Sequence, residues 1–219
     1  MMSGKKCVLF DLDGTLFDSS EGIKMSYREG LQHFGITVED DSELDKVIGP
    51  SLYVSYHDFY GLSGEDLKEA IAAYRRRYNE EGIFRLRMYD GTEEMLAALK
   101  ASGHIIGLAT SKPLVMAERI LDFSGLKQYF DVVCGSHLDG SMSDKCELIH
   151  ACMTRAAFSD KACVYMVGDR NYDIVGAIKS GIRSIGVTYG FGSREELREA
   201  QAEFIADSPR QVVEILTGD

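Results

Sequence analysis

The stretch CVLFDLDGTL, residues 7–16, joins an apolar run to two closely spaced carboxylates. Four apolar residues in a row are typical of a strand that is buried on both faces of a parallel sheet. Alternate residues of a strand point to the same face, so Asp11 and Asp13 can both address one point beyond the end of the strand. Gly14 lets the backbone come close to a ligand. A plain D-G turn would use the same letters, so the meaning of the pair depends on the rest of the chain.

Strand and helix patterns alternate along most of the sequence. The segments suited to buried parallel strands are 7–10, 104–110, 131–134, 162–168 and 182–187. The segments suited to helices between them are 92–102, 113–123, 145–156 and 172–180. Strand followed by helix, repeated several times, predicts an α/β fold with a doubly wound, mostly parallel sheet.

Residues 17–86 interrupt this alternation. Three segments there, 21–35, 41–49 and 63–82, are typical of helices, and no convincing buried strand occurs among them. About seventy residues are too many for an ordinary connection between two elements. We therefore expect an inserted α-helical cap domain at 17–86 and an α/β core domain formed by 1–16 and 87–219.

Charge and composition restrict the possible partners. The chain has 24 Lys and Arg against 35 Asp and Glu, a net charge of −11, which disfavours a nucleic acid polymer or an anionic membrane as a partner. A small phosphorylated metabolite stays possible, because a bound metal can reverse the field within one cleft. No stretch reaches the ~20 apolar residues of a membrane span, and no signal-peptide run precedes the acidic pair, so we expect a cytoplasmic protein. Composition leaves the oligomeric state, monomer or dimer, undetermined.

Polar side chains capable of binding phosphate follow two other predicted strands. Thr110, Ser111 and Lys112 come at the end of the second strand, and Lys145 opens the helix after the third. Ligands of doubly wound sheets bind beyond the carboxyl ends of the strands. A hydroxyl and an ammonium are the groups that hold phosphoryl oxygens, so Thr110 and Lys145 are candidates for such contacts.

Carboxylates recur at the end of the fourth predicted strand, in the stretch GDRNYD. Asp169 ends that strand, and Asp173 lies about one helical turn further on. Together with Asp11 and Asp13 they would repel one another strongly unless a divalent cation lay among them. Ligation by oxygen alone, in a site open to phosphate, suits Mg²⁺. An EF-hand loop needs glycine at its sixth position and glutamate at its twelfth, where this sequence has Leu16 and Gly22, which excludes that type of calcium site.

These motifs, in this order and at these intervals, resemble those of the haloacid dehalogenase-like (HAD) phosphohydrolase superfamily. The resemblance rests on DLDGT at 11–15, TSK at 110–112, Lys145 and GDRNYD at 168–173, and it spans the whole chain, including a helical insertion after the first motif. The sequences FDSSEGI and YDGTEEML are similar to those of the phosphoglycolate phosphatase-like members that carry a helical cap.

The resemblance implies roles for the acidic residues. Asp11 would be the nucleophile that forms an aspartyl-phosphate, which divides one hard hydrolysis into two easier steps. Asp13 would protonate the leaving alcohol and then activate water. The cofactor Mg²⁺ would be held by the Asp11 carboxylate, the Asp13 main-chain carbonyl, Asp169 and Asp173, and would neutralise the charge between two reacting anions.

The resemblance also implies a set of phosphate contacts. Thr110, Lys145 and backbone N–H groups near Leu12 and Ser111 would stabilise the oxygens of the transferred group. We expect electrostatic stabilisation by these groups to be the largest contribution to the rate enhancement.

Four further residues are predicted to contact the phosphate or the substrate. Gly14 and Thr15 belong to the first motif, and Gly49 and Pro50 form a loop that resembles the cap loop of such phosphatases. A plain loop between two helices would explain Gly49 and Pro50 equally well.

The function predicted from these observations is Mg²⁺-dependent hydrolysis of a small phosphomonoester, by a phosphoglycolate phosphatase-like or 5′-nucleotidase-like enzyme. Two alternatives stay open. One is a β-phosphoglucomutase-like mutase, although such enzymes often carry an apolar residue where Thr15 stands. The other is a HAD-like binding module without turnover, although none of the catalytic motif residues is missing.

Overall fold

The structure, a computed structural model, describes residues 4–218, and its largest element is a six-stranded parallel sheet. In chain order the strands are β1 (Cys7–Phe10), β2 (Phe17–Asp18), β3 (Arg87–Met88), β4 (Ile105–Pro113), β5 (Val132–Ser136), β6 (Val164–Gly168), β7 (Arg183–Val187) and β8 (Phe204–Ala206). The order across the large sheet is β5-β4-β1-β6-β7-β8, and all of its neighbouring strands are parallel. The predicted α/β fold with a mostly parallel sheet is confirmed.

Helices connect the strands. They are α1 (Ser20–Gln32), α2 (Leu52–Val54), α3 (Gly64–Glu80), α4 (Thr92–Ala101), α5 (Leu114–Ser124), α6 (Lys145–Arg155), α7 (Asn171–Ser180), α8 (Arg194–Glu199) and α9 (Pro209–Thr217). Short 3₁₀ segments lie at Asp41–Val47, Gly82–Phe84, Leu126–Tyr129 and Lys161–Cys163, and a π-helical turn at Ser55–Phe59. No helix within residues 4–218 is both long enough and apolar enough to cross a bilayer.

Strand β1 is buried on both faces of the sheet. All four of its side chains are 0% exposed. Cys7 and Leu9 pack into an apolar cluster with residues of α6 and α7. Val8 and Phe10 point to the opposite face, because side chains alternate along a strand. This two-sided burial explains why β1 is an uninterrupted apolar run rather than an alternating one.

The strand order places a switch point beside β1. From β1 the large sheet continues through β4 and β5 on one side, and through β6, β7 and β8 on the other. Ligand sites of open α/β sheets lie outside the carboxyl ends of the strands where the order reverses. Here that position is the edge shared by the ends of β1, β4 and β6.

The chain divides into two compact units. One comprises the chain up to Phe17 and from Met88 onward, and the other is Asp18–Arg87. Within the second unit α1 packs against α3, and Tyr27 lies 4.8 Å from the Tyr56 ring and 4.9 Å from the Tyr74 ring. The sequence patterns did not predict β2 and β3, which are two residues each and pair with one another.

Candidate active site

The carboxyl end of β1 is a tight turn that presents Asp11. The Asp11 N–H donates to the carbonyl of Val167 on β6 at 2.9 Å, which joins the two strand ends. Leu12 is fully buried, and its carbonyl accepts N–H groups from further along the turn. Gly14 has φ of 81°, and a Cβ on it would overlap the carboxylate of Asp169. Glycine is therefore required at position 14 for two reasons, backbone conformation and lack of space.

Two further carboxylates meet Asp11 at this edge. Asp169 directly follows β6 and is 0% exposed, and Asp173 lies in the first turn of α7 and is 1% exposed. Each of the three residues offers a carboxylate oxygen, and these oxygens lie within 4.8 Å of one another. Gly168 makes this possible, because a Cβ there would overlap the side chain of Asp173.

Lys145 lies among these carboxylates. It is the first residue of α6, directly after the N-cap Asp144. Its Nζ is 3.1 Å from Asp11 Oδ1 and 2.8 Å from Asp173 Oδ1, and it donates to the Ala109 carbonyl at 3.0 Å. Burial alone would lower the pKa of Lys145, but the two carboxylates raise it above its usual value. The side chain is therefore a buried, charged ammonium.

The carboxylates outnumber the cations in this group. Burial raises the pKa of Asp169 to about 8, and the neighbouring charges of Asp173 and Asp11 add to the effect. Burial likewise raises the pKa of Asp173 to about 6, against the opposing effect of Lys145. When all three carboxyls are ionised, three carboxylates and one ammonium leave a net charge of 1 − 3 = −2. A donor set of hard carboxylate oxygens with this charge fits a divalent cation such as Mg²⁺.

Asp13 has a different partner from Asp11. Lys112 Nζ donates to Asp13 Oδ2 at 2.7 Å, and the Lys112 side chain is only 7% exposed. Asp13 Oδ1 is buried and accepts no hydrogen bond from the residues that the structure describes. The sequence motif included Lys112, but we assigned it no role from the sequence. Its position two residues after Thr110 at a strand end is the signal that could have identified it.

Thr110 and Ser111 lie at the end of β4. Thr110 is 1% exposed, and its Oγ1 accepts the N–H of Lys112 at 3.2 Å. The Ser111 hydroxyl donates to the carbonyl of Ser143 at 2.9 Å, in the loop that precedes α6. The ends of β4 and α6 are thereby linked beside Lys145.

Thr15, Gly49 and Pro50 were predicted to contact the phosphate or the substrate. Thr15 is fully buried, and its hydroxyl donates to Asp169 Oδ1 at 3.2 Å. Gly49 and Pro50 lie in the unit Asp18–Arg87, between the 3₁₀ segment and α2, where Gly49 has φ of 110°. The contact of Gly49 and Pro50 with substrate stays a prediction.

A loop after β7 was missed by the sequence analysis. The Phe191 N–H donates to Asp169 Oδ2 at 2.8 Å. A Cβ on Gly190 would overlap the carbonyl of Gly14, and one on Gly192 would overlap the carbonyl of Asp169. The backbone of this loop therefore lies directly against the carboxylate group, and the alternating glycines of YGFG were the available signal.

A parallel sheet whose carboxyl edge brings three carboxylates and a buried ammonium together defines a class of protein, an α/β enzyme whose chemistry takes place beyond its strand ends. A profile of the family described as haloacid dehalogenase-like hydrolase matches residues 8–187. A 5′-nucleotidase of Pseudomonas aeruginosa is 40% identical over 210 residues, 94% of this chain and 95% of that protein. Tyrosine-protein kinase PtkA of Mycobacterium tuberculosis is 36% identical, over 94% of this chain and 67% of that protein.

A solved structure gives the same result. The crystal structure of a predicted phosphatase from Clostridium acetobutylicum superimposes with a TM-score of 0.92 at 42% identity, covering 98% of this chain and 99% of the other. The chain belongs to the haloacid dehalogenase-like hydrolase family. The family that the sequence motifs indicated is confirmed, and so is the class of enzyme, a phosphatase of the HAD type.

Proposed function

We propose that the protein is a Mg²⁺-dependent phosphatase that hydrolyses a small phosphomonoester through an aspartyl-phosphate intermediate. The observation that carries the proposal is the meeting of Asp11, Asp169 and Asp173 around the ammonium of Lys145. Such a group combines an anionic nucleophile with a buried ammonium, and Mg²⁺ held among the carboxylates would supply the further positive charge that an anionic substrate needs in order to approach.

Exposure supports Asp11 as the nucleophile. Its side chain is 16% exposed, whereas Asp173 is 1% exposed and Asp169 is 0% exposed. Asp11 is therefore the carboxylate of the three that a substrate can reach. Asp11, Asp169, Asp173 and the main-chain carbonyl of Asp13 would hold Mg²⁺, which when bound supplies positive charge between the carboxylate and the phosphoryl group.

Asp13 is proposed as the proton-transfer group. Its side chain is 23% exposed and pairs with Lys112 of β4. It would donate a proton to the leaving oxygen and then accept one from the attacking water. Thr110, Lys145 and the amides near Leu12 would stabilise the equatorial oxygens of the transferred group.

Gly14, whose N–H donates to the Phe17 carbonyl, would let the backbone come close to the phosphate, and Ser111 would contribute a backbone contact to it. Gly49 and Pro50 would contact the remainder of the substrate. We propose a nucleoside 5′-monophosphate as the first substrate to test, because a relative that covers almost the whole chain at 40% identity is named a 5′-nucleotidase. Phosphoglycolate is the second, from the similarity of the sequence to the phosphoglycolate phosphatase-like members.

The test is the release of phosphate from p-nitrophenyl phosphate with Mg²⁺, with EDTA, and by the Asp11→Asn variant. Asparagine keeps the shape of the side chain but is not an anionic nucleophile, so activity should fall by at least about 10³-fold. Asp122→Asn is a matched control, because that side chain is 59% exposed and pairs with a surface lysine. Equal activity of the wild type and Asp11→Asn would overturn the assignment of Asp11.

A panel of phosphorylated metabolites then distinguishes the substrate and the reaction. Phosphate release should be fastest with the nucleoside 5′-monophosphates if the proposed substrate class is right. Conversion of a sugar phosphate into its isomer without release of phosphate would overturn hydrolysis in favour of a mutase.

A further inference from the structure

Glu196 of α8 reaches back to the turn that carries Asp169. Glu196 Oε1 accepts a hydrogen bond from Nε of Arg170 at 2.9 Å and from the N–H of Asn171 at 2.8 Å. These two donors directly follow Asp169 in the chain. The Glu196 side chain is 24% exposed and the Arg170 side chain 25% exposed, so the ion pair is partly shielded from water.

The turn held by Glu196 also contacts the second buried carboxylate. The N–H of Arg170 donates to Asp173 Oδ2 at 3.2 Å. The segment 169–171 therefore contains one of the three clustered carboxylates and hydrogen-bonds another. A displacement of this segment would move Asp169 and Asp173 together.

Glu196 itself is held in place at both ends of its helical turn. Its N–H donates to the hydroxyl of the N-cap residue Ser193 at 3.0 Å. The next residue, Leu197, is 0% exposed and packs against β7, where a Cβ on Gly186 would come within 2.9 Å of Leu197 Cδ2. A hydrogen-bond acceptor on such a packed segment can hold its donors in one place.

The loop before α8 holds the same turn from another direction, through the N–H of Phe191 on Asp169 Oδ2. We propose that Glu196 is a positioning residue which, through Arg170 and Asn171, fixes Asp169 and Asp173 in the arrangement that binds a divalent cation. This inference rests on the proposed function.

The physical reason is the repulsion within the carboxylate group. Asp169 and Asp173 are buried beside Asp11, and Lys145 offsets only one of their three charges, so the ionised carboxylates repel one another and tend to move apart when no cation is bound. An anchored turn resists that movement before the cation arrives, and removing such outer partners costs about 10- to 100-fold in metal affinity. If Glu196 only capped the first turn of α7, its loss would lower stability and leave cation affinity unchanged.

The experiment measures binding of Mg²⁺ alone to the full chain by isothermal titration calorimetry. The variants are Glu196→Ala, Glu196→Asp, which keeps the charge but shortens the reach, and Glu196→Gln, which keeps an acceptor without the charge. Glu195→Ala is the matched control, because Glu195 lies on the same helix, is exposed and has the same charge. Melting temperatures in EDTA establish that each variant is folded.

We expect Glu196→Ala and Glu196→Asp to bind Mg²⁺ about 10- to 100-fold more weakly, Glu196→Gln to lie between them and the wild type, and Glu195→Ala to match the wild type. Saturating Mg²⁺ should restore the rate of p-nitrophenyl phosphate hydrolysis. If Glu196→Ala does not fold, Glu196→Asp and Glu196→Gln decide the matter.

Unchanged Mg²⁺ affinity in the folded Glu196 variants overturns the inference. So does a loss of activity that saturating Mg²⁺ does not restore. Failure confined to these variants leaves the proposed function intact, whereas a wild type that binds no Mg²⁺ and releases no phosphate overturns the proposed function as well.

Discussion

Raising the pH from 7 to 8 in EDTA should destabilise the wild-type protein relative to the Asp169→Asn variant. Asp169 is fully buried, and burial together with Asp173 and Asp11 raises its pKa to about 8. In the unfolded chain the same carboxyl has a pKa of about 3.9. Between these two values the folded state binds a proton that the unfolded state does not, so stability is lost as the pH rises towards 8.

The magnitude follows from this proton difference. One bound proton corresponds to about 1.4 kcal/mol per pH unit. Because the Asp169 carboxyl is already half ionised at about pH 8, the free energy of unfolding decreases by less than this between pH 7 and pH 8, by about 1 kcal/mol. For a chain of this length that loss corresponds to about 2–4 °C in the melting temperature.

The thiol of Cys134 has the opposite effect on stability between pH 7 and pH 8. A hydrogen bond from Cys152, together with the charge of Arg155, lowers the pKa of Cys134 to about 7. A lowered pKa of an acid contributes stability as the pH rises. The contribution of Cys134 is common to the wild type and Asp169→Asn, so the difference between the two proteins isolates the carboxyl.

The assay is urea unfolding followed by circular dichroism, for the wild type and Asp169→Asn at pH 7 and pH 8 in EDTA. From pH 7 to pH 8 the free energy of unfolding of the wild type should decrease by about 1 kcal/mol more than that of Asp169→Asn. Saturating Mg²⁺ should remove the difference, because a bound cation compensates the charge that the proton otherwise neutralises. A wild type that loses no more stability than Asp169→Asn would refute the reasoning from burial and repulsion.

Two further predictions follow from close packing and burial. Gly190→Ala should weaken Mg²⁺ binding, measured by calorimetry, and lower the free energy of unfolding in urea by about 1–3 kcal/mol. The reason is that the added Cβ would overlap the carbonyl of Gly14. Gly4→Ala is the control and should change neither quantity, because no atom lies within 4 Å of the added Cβ. Burial and the charge of Lys6 lower the pKa of His104 in the folded protein. Below about pH 6.5, the pKa of histidine in the unfolded chain, the unfolded state therefore binds more protons than the folded state, and the stability decreases as the pH is lowered. In thermal melts, the decrease in melting temperature from pH 7 to pH 5.5 should be smaller for His104→Phe than for the wild type. Equal decreases in the two proteins would contradict this role of His104.

Most strands of the core were predictable from the sequence. The run at 7–10 coincides with β1, because a strand buried on both faces needs apolar residues at every position. The strand β8 (Phe204–Ala206) was missed because three residues give too little periodicity, and α8 and α9 beside it were not predicted. Pro113 was expected to begin a helix, but its ψ of 132° is extended, so it ends β4 and α5 begins one residue later.

The acidic positions of the candidate site could also be found without the structure. Parallel strands end at the same edge of a sheet, so residues placed directly after separate strands can meet there whatever their separation in the chain. Asp11 and Asp169 satisfy this condition, and so does Asp173 one turn into α7. The catalytic roles of these residues stay predictions until the variants are measured.

The sequence alone therefore determined the alternation of strand and helix and the presence of charged groups at the strand ends, because both depend on local periodicity. Only the tertiary structure decided which charges pair: Lys145 with Asp11 and Asp173, and Lys112 with Asp13. It also decided which outer groups hold the turn after β6. Those contacts exist because β7 lies beside β6 in the sheet, and this order brings α8 and its preceding loop to a turn more than twenty residues earlier in the chain.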